Sequence, residues 1–333
     1  MREFIELGKK IYDMDNPREV RRMVIFVLRA MLHLAEMKKL LAWFAADSVR
    51  QQLLAKQPFP IEQITRAFFY KGSTWAERSQ LIQEHVSFLQ RKLQKDWVVN
   101  LGQCYGKEYE IWQNEYEGEK WHTILFSETG QRKEGLLSVE MNLGAEHLYQ
   151  MMFWFAKDKE GKDALWIGAM QGPNMDNARD IIKKITKKSF SYRTKNLILY
   201  MTQAMARTMG IERIYAVTNY GYYANNHIRM NRKLKTNFED FWTEAGGRPT
   251  EDKRFYELPL IEPRKTMEEV PTRKRAVYRK RFEFLDTVDA EIEANIKKIL
   301  KPSAAPCPPL TREGDRAVVE GFSNHAEHGE TAK

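Results

Sequence analysis

Residues 149–174 read YQMMFWFAKDKEGKDALWIGAMQGPN, and the fold turns on this stretch. Tyr149 to Ala156 and Ala164 to Met170 are continuously apolar, and the polar tip Lys157 to Asp163 joins them. Runs of this kind predict two central strands of a meander, each buried on both faces. Upstream, Leu137, Val139, Met141 and Leu143 alternate with Ser138, Glu140 and Asn142, the period of a strand with one wet face. Tyr109 to Tyr116 and Trp121 to Ser127 flank Glu117-Gly118-Glu119-Lys120 and predict a hairpin. A mixed sheet is therefore expected in the middle of the chain.

Beyond Gly172-Pro173 the period changes to 3.6. Ala178, Ile181, Ile182 and Ile185 share one helix face, while Lys183, Lys184, Lys187 and Lys188 share the other. A second helix uses Leu197, Ile198, Met201, Ala204, Met205 and Met209 and stops at Gly210. Ile211 to Thr218 predicts a short strand, Asn226 to Lys235 a short basic helix and Arg254 to Leu258 a last strand. Pro271 opens a long final helix whose stripe runs from Val277 to Ile299. On the N-terminal side, Val20 to Ala46 carries apolar residues around most of its circumference, so one long helix or two abutting ones is expected, packed into a core. Gln57-Pro58-Phe59-Pro60 stops it, and Thr65 to Lys95 is helical again. The class is α/β (α+β): N-terminal helices over 1–100, a mixed-sheet core over 101–262 and a basic C-terminal helix over 263–300. Residues 301–333, with four prolines near their start, predict a disordered tail.

With 333 residues, 43% of them hydrophobic, the chain can bury a full core. The longest apolar runs reach about seven residues, far below the ~20 that cross a bilayer. The N-terminus is charged throughout and does not resemble a signal peptide. Cys104 and Cys307 stand about 200 residues apart, which excludes a disulfide scaffold and predicts a reducing compartment. The net charge is +9, and three stretches carry it: Arg179 to Lys195, Arg229 to Lys235 and Arg264 to Arg281 hold 19 basic and 3 acidic residues, which is +16. An anionic partner would meet that half of the chain.

Histidines 33, 85, 122, 147 and 227 are scattered and form no H-E-x-x-H, so no metal site is expected. Ser127 and Ser138 lack the G-x-S-x-G elbow. Polar residues cluster after the Ile214–Val217 run, where α/β sheets commonly build sites. Of these, His227 could act as a general base and Asn219 could orient a carbonyl or hydroxyl. The plainer alternative makes Asn219 and Asn226 turn and cap residues. At Gln171-Gly172 the chain leaves a buried strand for a helix, so a ligand could approach Gly172 and bond Gln171; a tight turn explains the glycine equally well. Arg273, Lys274, Arg275, Arg279, Lys280 and Arg281 crowd one side of the last helix and would suit phosphate groups, unless they are solvated or paired with acids.

LWIGAMQGPN (165–174), RTKNLILYMTQAMARTMGIERIYAVTN (193–219), FWTEAGG (241–247), RFYELP (254–259) and VPTRKRAVYRKRFEFLD (270–286) together resemble the VirK/YbjX family. The resemblance covers most of residues 60–290. It implies a Gram-negative bacterial protein linked to virulence, to resistance against cationic antimicrobial peptides and to outer-membrane maintenance or remodelling. It supplies no reaction. A weaker resemblance, carried by the strand meander, the helix ending in Met-Gly-Ile and the strand IYAVTN, is to the acyl-CoA N-acyltransferase core. That likeness implies an acyl-CoA or acyl-carrier donor whose phosphates sit at a helix N-terminus, here with Gln171, Gly172, Arg193 and Lys195. The sequence departs from that pattern, because SFSYRTKN (189–196) contains no glycine.

Three functions remain distinct. The first is an envelope-maintenance protein with an acyltransferase-like core, cytoplasmic or peripheral at the inner membrane, with an anionic lipid or envelope precursor as partner and an envelope lipid precursor or a protein amine as acceptor. The second is a non-catalytic factor that assists localisation or stability of an envelope protein. The third, a nucleic-acid-binding regulator, rests on charge alone, and no helix-turn-helix, zinc-finger or RNP-like signature supports it. For the first, a crevice between Val217 and Gly172, lined by polar groups, is expected.

Overall fold

The computed structural model describes residues 1–101, 108–127, 130–225 and 237–302. Met1–Leu300 form one compact unit; of the second, Lys301–Lys333, only Lys301 and Pro302 are described. The described residues include eleven α-helices and eight strands. Seven helices come first: α1 (Arg2–Ile11), α2 (Pro17–Leu32), α3 (Leu34–Ala45), α4 (Ser48–Lys56), α5 (Phe59–Gln63), α6 (Trp75–Lys92) and α7 (Lys95–Leu101). The apolar Val20–Ala46 stretch is two helices that abut at His33, whose ψ of 43° breaks the run. Thr74 and Glu77 close a capping box on α6, so that helix starts ten residues later than its composition suggests.

Strands β1 (Tyr109–Tyr116) and β2 (Glu119–Phe126) form the expected hairpin, with Glu117 and Gly118 both at positive φ as a two-residue primed turn requires. β3 (Leu137–Leu143), β4 (Glu146–Lys157) and β5 (Asp163–Gln171) continue the antiparallel meander. Helices α8 (Ala178–Lys188) and α9 (Thr194–Thr208) then cross over to β6 (Arg213–Val217), which pairs parallel to β5. After α10 (Phe238–Glu244), β7 (Arg248–Pro249) and β8 (Phe255–Leu258) complete a sheet of order β1-β2-β3-β4-β5-β6-β8-β7. The 3-10 turn Thr272–Lys274 leads into α11 (Arg275–Ile299), about 37 Å long.

The buried apolar run of β4 is explained by two cores. Phe153 and Phe155 face α9 and α11, where Leu197, Met201, Leu285, Val288 and Ile292 pack. Trp154, between them, joins the N-terminal helices with Phe26, Phe44 and Phe69. One strand expectation changes: Ser138 and Asn142 of β3 are buried, so the strand has no wet face even though its polar residues alternate correctly.

Helix α6 also completes the sheet. Pairing between β3 and β4 ends at Leu137 and Phe153, leaving the next outward N–H groups of β4 open. His85 Nδ1 accepts from Phe155 N at 3.0 Å, and Glu84 accepts from Lys157 N at 2.8 Å. Two side chains of one helix thus stand in for a neighbouring strand.

Candidate functional site

The sequence placed a site where β5 and β6 part. Their pairing ends at Ile167 and Ala216. Because Thr218 N–H points to Arg254 O on the β8 side, the Val217 carbonyl across the same trans peptide points toward β5. It accepts a 2.8 Å hydrogen bond from Trp242 Nε1, and the indole is 0% exposed. Gly168, one residue past the last pair on β5, lies under the Glu134 backbone: a Cβ there would stand 1.8 Å from the Glu134 carbonyl oxygen. The expected open crevice between Val217 and Gly172 is therefore corrected. An aromatic side chain fills the sheet at the point of divergence.

The named residues around it are engaged in holding the chain together. Asn219 Nδ2 donates to Asn237 at 2.8 Å and its Oδ1 accepts from Phe238 N at 3.0 Å, so it caps the entry to α10. Its own N–H reaches Glu239 at 3.0 Å. His227 falls within residues 226–236, outside the described residues, as does the expected basic helix. Gln171 accepts from Gln131 at 2.9 Å, and Gly172 lies against the Tyr149 ring. Arg193 and Lys195 both bind the Glu244 carboxylate, Lys195 at 2.8 Å, and together they lower its pKa. Both cations at that helix start are thus already engaged by one carboxylate of the protein.

The structure divides the six basic residues of the last helix. Arg275 donates to Val270 O at 3.1 Å, and Arg281 donates to Phe190 O and Ser191 O at 3.1 Å. No ion pair or side-chain hydrogen bond among the described residues engages Arg273, Lys274, Arg279 or Lys280.

What Arg281 holds is unusual. Phe190 and Ser191, in the turn between α8 and α9, have φ of +52° and +61°. Two consecutive non-glycine residues in the left-handed region cost of order 1–3 kcal/mol each, so something must over-determine them. The Arg281 guanidinium does, together with Ser191 N bonding to Thr186 O at 2.9 Å. Phe190 is thereby set against Phe284, ring centres 6.1 Å apart. These two rings and Tyr116 line a groove of about 820 Å³, and Phe284 stacks on the buried Trp121 beneath it. Lys184, Lys187, Lys188 and Lys280 rim the groove against a single acid, Glu283. Lys184 approaches Glu117 at 3.5 Å, whereas among the described residues no acid meets Lys187, Lys188 or Lys280. Three lysines with no acid partner over an aromatic floor is chemistry for an anionic group attached to an apolar body. The charge run was visible in sequence. Its pairing with rings from β1 and α11 was not.

A second cleft, of about 660 Å³, opens beside Trp166, Tyr70 and Phe255. Its charges are spent internally: Arg254 lies over Tyr70 and Phe255 and binds Asp252, while Arg213 is shared by Asp158, Glu160 and Glu257. Among the described residues no group of three or more His, Cys, Asp or Glu side chains is placed to hold a metal ion, and no described helix is long and apolar enough to cross a membrane.

Comparison with known families matches residues 15–294 to the family described as "Protein of unknown function (DUF535)". The chain belongs to the DUF535 family. A relative in Haemophilus influenzae, named only "Uncharacterized protein", is 23% identical over 298 residues, 85% of this chain and 94% of its own length. "Uncharacterized protein YbjX" of Escherichia coli K12 is 29% identical over 135 residues, 40% of this chain and 41% of its own. "Membrane protein LapB" of Mannheimia haemolytica is 23% identical over 195 residues, 57% of this chain and 80% of its own. The YbjX likeness taken from the sequence blocks is thereby borne out. The DUF535 match includes α8, α11 as far as residue 294, and Tyr116, Phe190 and Phe284 of the groove.

Proposed function

We propose that this DUF535 protein works at the bacterial cell envelope and holds a phosphate-bearing amphiphile in the groove between α8 and α11. The observation that carries this reading is the set of unpaired lysines, Lys187, Lys188 and Lys280, above Phe190 and Phe284. A relative's printed name, "Membrane protein LapB", supports the location. The VirK/YbjX resemblance supports a role in envelope maintenance, antimicrobial-peptide resistance and virulence, on the cytoplasmic side and peripheral to the inner membrane. A non-catalytic role, assisting an envelope protein, needs only this binding step.

Acyl transfer is the second reading, favoured by one observation: the order β5, helical crossover, parallel β6. Trp242 closes the strand gap and Glu244 occupies Arg193 and Lys195, so an acyl-CoA or acyl-carrier donor would have to place its phosphates on the groove lysines instead. Asn219 and His227 remain the proposed acceptor-handling pair of that reading.

Titration with lysophosphatidic acid, palmitoyl-CoA and lysophosphatidylcholine, followed by tryptophan fluorescence because Trp121 lies under Phe284, separates these. Lysophosphatidic acid is expected to bind, and Lys187→Glu/Lys188→Glu to weaken it about tenfold or more, as removal and reversal of close charges predicts. Binding of palmitoyl-CoA at the same lysines would favour the donor reading. Equal binding of the zwitterionic lipid, or an unaffected double variant, would remove the groove from consideration. Nucleic acid is tested by salt: phosphate contacts must weaken steeply as salt rises, and a flat response excludes a regulator that binds through phosphates.

A further inference from the structure

Helix α2 buries only part of its circumference. Phe26 and Ala30 enter the N-terminal core, and Met23 and Val27 pack at its margin. The opposite side exposes Val24 at 47%, Leu28 at 60% and Leu32 at 81%. At i, i+4 and i+8 these form one row about 12 Å long. Single exposed apolar residues are ordinary on protein surfaces; an aligned row on one helix is not.

Basic residues run beside that row. At 100° per residue, Arg21 falls within its arc, and Arg18, Arg29 and Arg22 fall along one edge. That edge adjoins further cations. Arg66 and Arg132 share the buried Glu62 carboxylate, Arg132 at 2.8 Å, and Arg29 donates to Thr65 O at 3.3 Å. Burial, then Arg132, Arg22 and Arg66, lower the pKa of Lys133. Among the described residues, the acids set against this group are Glu19, on Arg22, Glu62, on Arg66 and Arg132, and Glu134, which acts on Lys133. Seven basic groups (Arg18, Arg21, Arg22, Arg29, Arg66, Arg132 and Lys133) therefore face three acids, a positive surplus next to an apolar row.

We propose that α2 is a membrane-contact element: Val24, Leu28 and Leu32 enter the interfacial layer of an anionic bilayer while Arg18, Arg21, Arg22 and Arg29 take its headgroup phosphates. The arrangement has the two features of an interfacial helix, an apolar stripe and long cationic side chains that reach from it to the headgroups. Charge selects this occupant over a second copy of the chain. A two-fold contact through the same face would bring each arginine set against its equivalent. The surface is separate from the α8–α11 groove, and its test does not depend on that groove.

Sedimentation of the full chain with phosphatidylcholine vesicles, with and without phosphatidylglycerol, tests the proposal. Binding is expected only with phosphatidylglycerol and should weaken with salt. Both Leu28→Gln/Leu32→Gln and Arg18→Gln/Arg21→Gln should lower the partition coefficient about tenfold, with unchanged circular dichroism because all four residues are exposed. Failure of the parent chain to sediment with anionic vesicles overturns the proposal. So does undiminished binding by the leucine variant, which would reduce the contact to electrostatics alone. A dimer in size-exclusion chromatography that the leucine variant dissociates would assign the row to a second copy.

Discussion

Trp242→Ala is expected to lower the unfolding free energy by about 3–5 kcal/mol, the range for deleting a fully buried aromatic side chain. Two losses add. The indole leaves a void in the core it shares with Phe238 and Phe241, and Val217 O, facing β5, loses its donor. Trp242→Phe separates them: it keeps most of the apolar volume and removes only the N–H, leaving a buried carbonyl unsatisfied at a cost of about 1–3 kcal/mol. Equilibrium denaturation of the three proteins gives both numbers. Free indole should restore part of the stability of Trp242→Ala and none of that of the parent, because only the variant has a vacant seat to which the native state can bind it. If Trp242→Ala unfolds at the parent's midpoint, the indole does not close the sheet, and the gap between β5 and β6 returns as a ligand slot.

That residue also marks where the sequence stops being informative. Tyr149 to Ala156 announces a doubly buried strand because both neighbours of Trp154 are large and apolar, and the structure sends Phe153 and Phe155 to one core and Trp154 to the other. Burial on two faces is a local property of composition. What fills the divergence of β5 and β6 is not local: Trp242 stands 25 residues after Val217, on a helix of seven residues, too short to show a period. The same limit governs charge. The run Arg179–Lys195 is plain in sequence, but its residues have opposite fates. Arg193 and Lys195 meet Glu244, some fifty residues on, while Lys187 and Lys188 meet none among the described residues. Arg281 was grouped with its basic neighbours as a partner surface. Its use in holding Phe190 and Ser191 at positive φ carries no sequence signal, since neither is a glycine or an asparagine. Helix α4 shows the converse. Asp47 accepts from Val49 N and Arg50 N as an N-cap, a local residue type that could have marked the start of α4 and that the sequence reading missed.

His85 should make stability fall with acidification from about pH 6.5 downward. Burial in the interior, stacked on Phe155, pushes its imidazole pKa from 6.5 down to about 3. Its Nδ1 must stay unprotonated to accept from Phe155 N. The unfolded chain takes up the proton near pH 6.5 and the folded chain only near pH 3, so between these values the unfolded state binds more protons. Stability is lost as pH drops through that window and is indifferent to this group above it. The loss amounts to about 2–3 kcal/mol between pH 6 and pH 4. Asp47, Asp163 and Asp252, whose pKa values are lowered by their hydrogen bonds and basic partners, add a separate acid-side loss below their unfolded values. The measurement is therefore a difference: denaturation midpoints of the parent and of His85→Asn at several pH values. The asparagine can offer an acceptor oxygen to Phe155 N but has no proton to take up, so the gap between the two curves should close as pH falls from 6 to 4. A packing role alone would shift the variant curve by a constant. Parallel curves would mean that His85 takes up a proton in the folded protein, and that α6 does not complete the β4 edge through a neutral ring.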